Sequence, residues 1–123
     1  MIIMAQQIPP GLEEKIKRYE NLRRKHEALQ VMVQRLQSEL NELEATLEEL
    51  AKQPDDAVTY KTVGQVMFRV DKKKLVEEMN GRKGTVKESV DNYGSRLEST
   101  TEQLQELQSN IQIELGAQNL KVQ

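Results

Sequence analysis

The sequence contains no cysteine and no tryptophan, and it has only one phenylalanine and three tyrosines among 123 residues. Without cysteine it forms neither disulfide bonds nor thiol-based sites, which agrees with a reducing cytosol. Large aromatic side chains usually supply much of the buried area of a thick core. Their scarcity, together with 31% charged residues, favours long, thin helices.

Long apolar runs are also missing. The apolar start, Met1 to Ala5, is too short for a secretory signal, and no segment approaches the ~20 apolar residues of a membrane span. The 18 basic and 20 acidic residues are mixed along the chain, which predicts neither a nucleic-acid nor a membrane partner. We therefore expect a soluble, cytoplasmic protein.

The sequence shows no arrangement of residues typical of a catalytic site. It has no Ser/His/Asp set, no glycine-rich phosphate loop and no metal-ligand spacing, so we predict no enzyme activity, no cofactor and no metal. His26 is the only histidine. We interpret it as a packing or register residue, with a ligand role as the less favoured alternative.

The first half of the chain carries an uninterrupted heptad pattern, which is typical of a supercoiled helix. Pro9-Pro10 favours a helix start and Pro54 a helix end, so a helix over residues 10–53 is predicted. The a positions are Leu12, Tyr19, His26, Val33, Leu40 and Leu47, and the d positions are Lys15, Leu22, Leu29, Leu36, Leu43 and Leu50.

Between Pro54 and Asp71 the period changes to two, which indicates two short strands joined at Gly64. We predict one apolar face, made of Val58, Tyr60, Val66, Phe68 and Val70. A lone hairpin is marginal in water, and its unpaired edges favour a neighbouring strand. Other subunits are the expected source of that strand.

A second, weaker heptad pattern follows, with Asp71 as its predicted N-cap. We expect this helix to span residues 72–115 and the last residues, 116–123, to form a flexible tip. Gly81, Gly84 and Gly94 weaken the helix, since glycine costs about 1 kcal/mol in a helix interior. The a positions are Val76, Lys83, Val90, Leu97, Leu104 and Ile111, and the d positions are Met79, Val86, Tyr93, Thr100, Leu107 and Glu114.

A short connector returns the second helix along the first. The predicted fold class is mainly α: one domain over residues 1–123 with a long antiparallel two-helix coiled coil and a central β-hairpin (54–71). Residues 1–9 would form a flexible N-terminal tip beside the C-terminal one.

The chain from about Ile8 to Leu115 resembles the beta class of the prefoldin family. The hairpin stretch carries most of the resemblance, above all Tyr60-Lys61-Thr62-Val63-Gly64, and the opening Ile8-Pro9-Pro10 resembles archaeal members. A single hairpin indicates the beta class and not the alpha class.

The resemblance implies an ATP-independent chaperone of two alpha-class and four beta-class subunits. Their hairpins would join in an oligomeric β-barrel, and the coil tips would capture non-native proteins and deliver them to a group II chaperonin. The implied oligomerisation residues are Val58, Tyr60, Val63, Gly64, Val66, Phe68 and Val70. The implied client-binding residues are Met1, Ile2, Ile3, Met4, Ile8, Leu12, Ile16, Leu115, Leu120 and Val122.

Two other functions compete with this interpretation. A structural coiled-coil scaffold that only dimerises would not need a one-faced hairpin between its helices. A nucleic-acid-binding arm would need a basic stripe, whereas Arg23-Arg24-Lys25 is flanked by Glu20 and Glu27. Lys72-Lys73-Lys74 is interpreted as a solvated first turn, with a partner contact as the alternative.

Overall fold

A computed structural model describes residues 8–122 of the chain, and the side chains of residues 8–117. It contains helix α1 (Pro10–Ala51), strand β1 (Thr59–Val63), strand β2 (Val66–Val70) and helix α2 (Lys72–Val122). The predicted mainly helical fold, with an antiparallel two-stranded hairpin between two long helices, is confirmed. Neither helix contains, within residues 8–122, a segment long and apolar enough to cross a membrane.

The described residues form two compact units. The first, which we call the terminal unit, combines the chain up to Met32 with the chain from Tyr93 onward. The second, the hairpin unit, is the continuous stretch Val33–Asn92.

The heptad pattern of both helices is confirmed inside each unit. Every a and d position predicted from the sequence is buried or half-buried. The glycines do not interrupt α2, which is continuous through Gly81, Gly84 and Gly94. The backbone therefore tolerates three weak helix formers because the flanking seam residues pack.

The terminal unit has a polar seam between its helix segments. Its apolar core residues include Leu12, Leu29 and Leu107. Lys15 and Glu114, which occupy two d positions, form an ion pair across the helices. Nε2 of His26 lies 2.9 Å from Oγ1 of Thr101. Because that hydroxyl already donates to the Leu97 carbonyl at 2.9 Å, it accepts from the imidazole N–H.

The hairpin unit has a more apolar seam, with Leu40 and Val86 in its core. Outside the seam, Arg82 holds Glu39 with two hydrogen bonds, Nε to Oε1 at 2.7 Å and Nη2 to Oε2 at 3.0 Å. The hydrogen bond from Arg82, reinforced by its charge, lowers the pKa of the Glu39 carboxyl. The same bond raises the pKa of Arg82. This bidentate geometry fixes the register of the two helix segments.

The helix ends differ from the prediction by a few residues. Helix α1 ends at Ala51 and not at residue 53, because Lys52 and Gln53 bond three residues back, to Glu49 and Leu50. Such bonds tighten a last turn. The predicted end of α2 at Leu115 is wrong, since the helix continues to Val122. A single glycine at 116 costs too little to stop a helix whose next residues are mostly good helix formers.

Lys72 is not the solvated side chain that the lysine run suggested. It is 9% exposed, and its Nζ donates to the Gln53 carbonyl at 2.7 Å and lies 3.4 Å from the Pro54 carbonyl. Lys72 stands seven residues before Met79, so it occupies a d position and its stem enters the seam. Its ammonium then satisfies the Gln53 carbonyl, just beyond the end of α1, and lies near the Pro54 carbonyl, which also accepts from the Ala57 N–H.

Candidate interaction surfaces

The hairpin is closed by a two-residue loop. Val63 pairs with Val66, and Gly64 has a positive φ of 60° while Gln65 does not have a positive φ. A positive φ at the first loop residue only is the pattern of a type II′ turn, whose twist matches that of the strands. Glycine adopts this conformation without a steric cost, so Gly64 sets the register of the whole hairpin.

That register corrects the predicted apolar face. Paired residues of an antiparallel ladder lie on the same face, and Tyr60 pairs with Arg69 while Lys61 pairs with Phe68. Tyr60 is therefore on the face opposite to Val66, Phe68 and Val70. The phenylalanine face contains Thr59, Lys61, Val63, Val66, Phe68 and Val70, and the tyrosine face contains Tyr60, Thr62, Met67 and Arg69.

Both faces expose apolar side chains. On the phenylalanine face Phe68 is 52% exposed, and on the tyrosine face Tyr60 is 55% exposed. The exposed apolar residues of the hairpin are Val58, Tyr60, Val63, Val66, Met67 and Phe68. Exposed apolar residues on two faces of a small sheet indicate a surface that is covered in an assembly.

Both edges of the hairpin also carry main-chain groups that the ladder does not use. Hydrogen-bonded and non-hydrogen-bonded pairs alternate in an antiparallel ladder, and Val63–Val66 is the bonded pair that closes the loop. The outward groups consequently belong to Tyr60 and Thr62 on β1 and to Met67 and Arg69 on β2. Each edge offers a template for a further strand.

Two contacts hold the base of the hairpin. Lys61 forms an ion pair with Glu78 of α2, and the Thr59 hydroxyl donates to the Val70 carbonyl at 2.6 Å. Thr59, Lys61 and Val70 are the half-buried residues of the strands. The hairpin is thus anchored through its phenylalanine face, while the tyrosine face is exposed throughout.

The terminal unit contains the predicted client-binding residues that the structure describes. Ile8 and Leu115 are each 41% exposed, and Ile16 is half-buried. Leu12 is only 1% exposed because it is an a-position core residue, so it is not part of the exposed surface. Met1, Ile2, Ile3 and Met4 lie outside the described residues, as do the side chains of Leu120 and Val122.

An apolar groove of about 290 Å³ runs between the two helix segments of the terminal unit. It is lined by Ile16, Tyr19, Gln108, Ile111, Gln112 and Leu115. Ile113 is 67% exposed but does not line the groove, and it was not among the predicted client-binding residues. Open apolar grooves of this kind suit adaptable contacts with apolar segments.

The described residues show no group of three or more His, Cys, Asp or Glu side chains suited to a metal ion. His26, the single candidate, is engaged by Thr101 within the seam. This contact supports the packing interpretation of His26 over a ligand role.

Comparison with known proteins identifies the family. A family model described as "Prefoldin subunit" matches residues 13–118. The chain belongs to the prefoldin family. The prefoldin subunit beta of Thermococcus gammatolerans is 36% identical over 89% of this chain and 94% of its own length. The prefoldin subunit beta of Methanothrix thermoacetophila is 33% identical over 88% of this chain and 84% of its own length.

A solved structure agrees with these relatives. The crystal structure of the prefoldin beta subunit from Thermococcus strain KS-1 matches with a TM-score of 0.79 and 31% identity, covering 89% of this chain and 96% of that one. The resemblance to the beta class predicted from the hairpin is confirmed. Prefoldin subunits are chaperones and not enzymes, and they form oligomers with other subunits.

Proposed function

We propose that this chain is one of four beta-class subunits that join two alpha-class subunits in a hexameric chaperone. The observation that carries the proposal is the hairpin, a two-stranded sheet with two open edges and apolar side chains exposed on both faces. Such a sheet is marginal alone. Strands from other subunits would complete it as a β-barrel and remove its edges.

Assembly is tested by size-exclusion chromatography with light scattering, with and without the alpha-class subunit encoded in the same genome. We expect a six-subunit mass with the partner. Phe68→Ser removes an exposed apolar side chain of the hairpin and should prevent assembly. Val31→Ser is the control, since Val31 is also apolar and similarly exposed but lies on α1.

Two results would contradict the assembly proposal. One is a wild-type chain that persists as a small dimer with the partner present, which would favour the coiled-coil scaffold. The other is a Phe68→Ser hexamer that forms as readily as that of the wild type. Circular dichroism of both variants should show unchanged helix content.

We further propose that the terminal unit captures non-native proteins. Ile16 and Leu115 line the groove, and Ile8 and Ile113 are further exposed apolar side chains of the terminal unit. The remaining predicted residues, Met1, Ile2, Ile3, Met4, Leu120 and Val122, would add to them. Each contact is weak, but several subunits acting on one client raise its effective concentration. Leu12 is left out because it is buried.

Capture is tested by suppression of the aggregation of heat-denatured citrate synthase. We expect Ile113→Ser combined with Leu115→Ser to weaken suppression severalfold in an intact hexamer, whereas Val31→Ser leaves it unchanged. Deletion of residues 1–9 and 116–123 should weaken it further. Unchanged suppression by the deleted but fully assembled hexamer would show that the tips do not bind clients.

The remaining steps rest on the family resemblance. We propose that capture does not require ATP, that the client passes to a group II chaperonin and that the complex is cytoplasmic. Client refolding measured with hexamer and chaperonin together should exceed that with the chaperonin alone, and capture should be equal with and without ATP. An ATP requirement for capture would overturn this part of the proposal.

A further inference from the structure

Arg69 is an unmatched charge on an otherwise neutral surface of the hairpin. Residues 59–70 contain two basic residues, Lys61 and Arg69, and no aspartate or glutamate. Lys61 is paired with Glu78. Arg69 is exposed, and among the described side chains it forms no ion pair.

The position of Arg69 places this charge at the open edge of β2. Its main-chain groups and those of Met67 point away from β1, as the ladder requires. A strand bonded to this edge would bring its side chains within roughly 4.5–5.5 Å of Arg69 between Cβ atoms. The guanidinium would then lose water on that side, which is costly without a carboxylate or other acceptor nearby.

A second copy of this chain supplies no such carboxylate. If two β2 edges pair antiparallel through Met67 and Arg69, the two Arg69 side chains become diagonal neighbours at roughly 7–8 Å on one face. Like charges so placed repel each other. The carboxylates closest in sequence to the strands, Asp55, Asp56 and Asp71, lie outside the strands of a copy. Asp71 directly follows Val70, but in the register just described it would lie opposite Gln65 and not opposite Arg69.

We propose that the β2 edge takes a strand from a different subunit, one that carries aspartate or glutamate on the tyrosine face beside Arg69. Arg69 thereby selects this subunit over a second copy. The inference rests on the proposed hairpin assembly and specifies the chemistry of its partner. The charge pair contributes to specificity because both groups are desolvated when the edge is covered.

The test compares Arg69→Glu with Arg69→Lys as the matched control, using the alpha-class subunit of the same genome as the binding probe. Affinity is measured by titration and assembled mass by light scattering. Arg69→Glu should weaken binding at least about tenfold. The affinity of Arg69→Lys should lie between that of Arg69→Glu and that of the wild type. Both variants should keep the wild-type melting temperature as isolated chains, since Arg69 makes no ion pair there.

The outcomes separate this inference from the assembly proposal. Equal binding by wild type and Arg69→Glu would overturn the inference and leave hairpin assembly intact. Failure of the wild type to bind would overturn both. A loss with Arg69→Lys as large as with Arg69→Glu would show that shape and not charge is recognised, which also contradicts the inference.

Self-association of the chain without partner provides the second readout. Arg69→Glu should leave it unchanged, because between two copies the substitution exchanges one like-charge contact for another. If the variant instead weakens self-association as much as it weakens binding of the alpha-class subunit, a second copy occupies this edge and the inference is wrong.

Discussion

The terminal unit and the hairpin unit are built from segments of the same two helices, but they fill their seams differently. In the terminal unit Lys15 meets Glu114 and His26 meets Thr101. The hairpin unit packs around Leu40 and Val86. Polar seam pairs specify register at a cost in stability. The chain therefore places its more apolar seam beside the candidate assembly surface and its more polar seam beside the candidate client surface.

Truncation of one core leucine in each unit should show the largest difference in stability between the units. Leu40 and Leu107 are 6% and 7% exposed, so Leu40→Ala and Leu107→Ala remove equal atoms from similar burial. Leucine truncations cost about 2–5 kcal/mol, depending on how well the site relaxes. We expect Leu40→Ala near the top of this range and Leu107→Ala near the bottom, because Leu107 borders a polar groove with Lys15 and Gln103.

Urea unfolding of the two variants measures these costs. Val31→Ala, an exposed site, serves as the control and should change stability little. Equal losses for Leu40→Ala and Leu107→Ala would remove the proposed difference between the seams.

The turn of the hairpin unit should be the next most sensitive position. At Gly64 the positive φ of 60° is unfavourable for any residue with a Cβ, by about 1–2 kcal/mol. Gly64→Ala should therefore weaken hydrogen-exchange protection of the strands and leave the terminal unit unchanged. Gly64→Asn should lose less of this protection, since asparagine tolerates a positive φ better than alanine does. Equal effects of the two substitutions would show that φ is not the cause.

The ion pair of the terminal unit can be replaced to make its seam more like that of the hairpin unit. Lys15→Leu combined with Glu114→Leu should raise the free energy of unfolding by about 1 kcal/mol. Apolar replacement of buried pairs is often stabilising, and the gain is reduced here because each side chain is 37% exposed. Thermal unfolding measures the gain, and a fall in melting temperature would show that this pair stabilises the seam.

Replacing a glycine of helix α2 by alanine should raise the free energy of unfolding in either unit. A Cβ at Gly84 or at Gly94 would meet nothing within 4 Å, so Gly84→Ala and Gly94→Ala should each stabilise by about 0.5–1 kcal/mol. Circular dichroism during thermal unfolding measures both. A destabilised Gly94→Ala with a stabilised Gly84→Ala would indicate that the terminal unit needs its glycine for flexibility.

The smallest expected effect is the acid sensitivity contributed by Glu39 in the hairpin unit. The hydrogen bond from Arg82 lowers the pKa of this carboxyl from its ordinary 4.5. Its stabilising contribution is present above pH 4.5 and is lost as the pH falls through the lowered value. Glu39→Gln should therefore reduce the melting temperature slightly at pH 7, and its difference from the wild type should shrink as the pH falls below 4.5. Glu42→Gln, outside the described ion pairs, is the control. A difference that does not shrink as the pH falls contradicts this prediction.

Sequence alone predicted the elements and the heptad register, because helical periodicity is local and repeated many times. The hairpin faces were wrong because each strand was assigned its alternation separately. The pairing of Val63 with Val66 decides which residues share a face, and this depends on the turn at Gly64 and not on either strand. Ile113 and Lys72 were missed for a different reason, because the register of α2 already contains both signals. Lys72 lies seven residues before Met79 and so occupies a d position, whereas Ile113, two residues after the a position Ile111, faces away from the seam.

The burial of Lys72 has a consequence for the order of folding. Its contact with the Gln53 carbonyl spans 19 residues of chain, whereas the Lys15–Glu114 pair spans 99. Closing the longer loop costs about 1.5 kcal/mol more chain entropy, and short-range contacts form sooner. We therefore expect the lysine to join the two chain segments that flank the hairpin early in folding, and the segments that carry the groove to come together last.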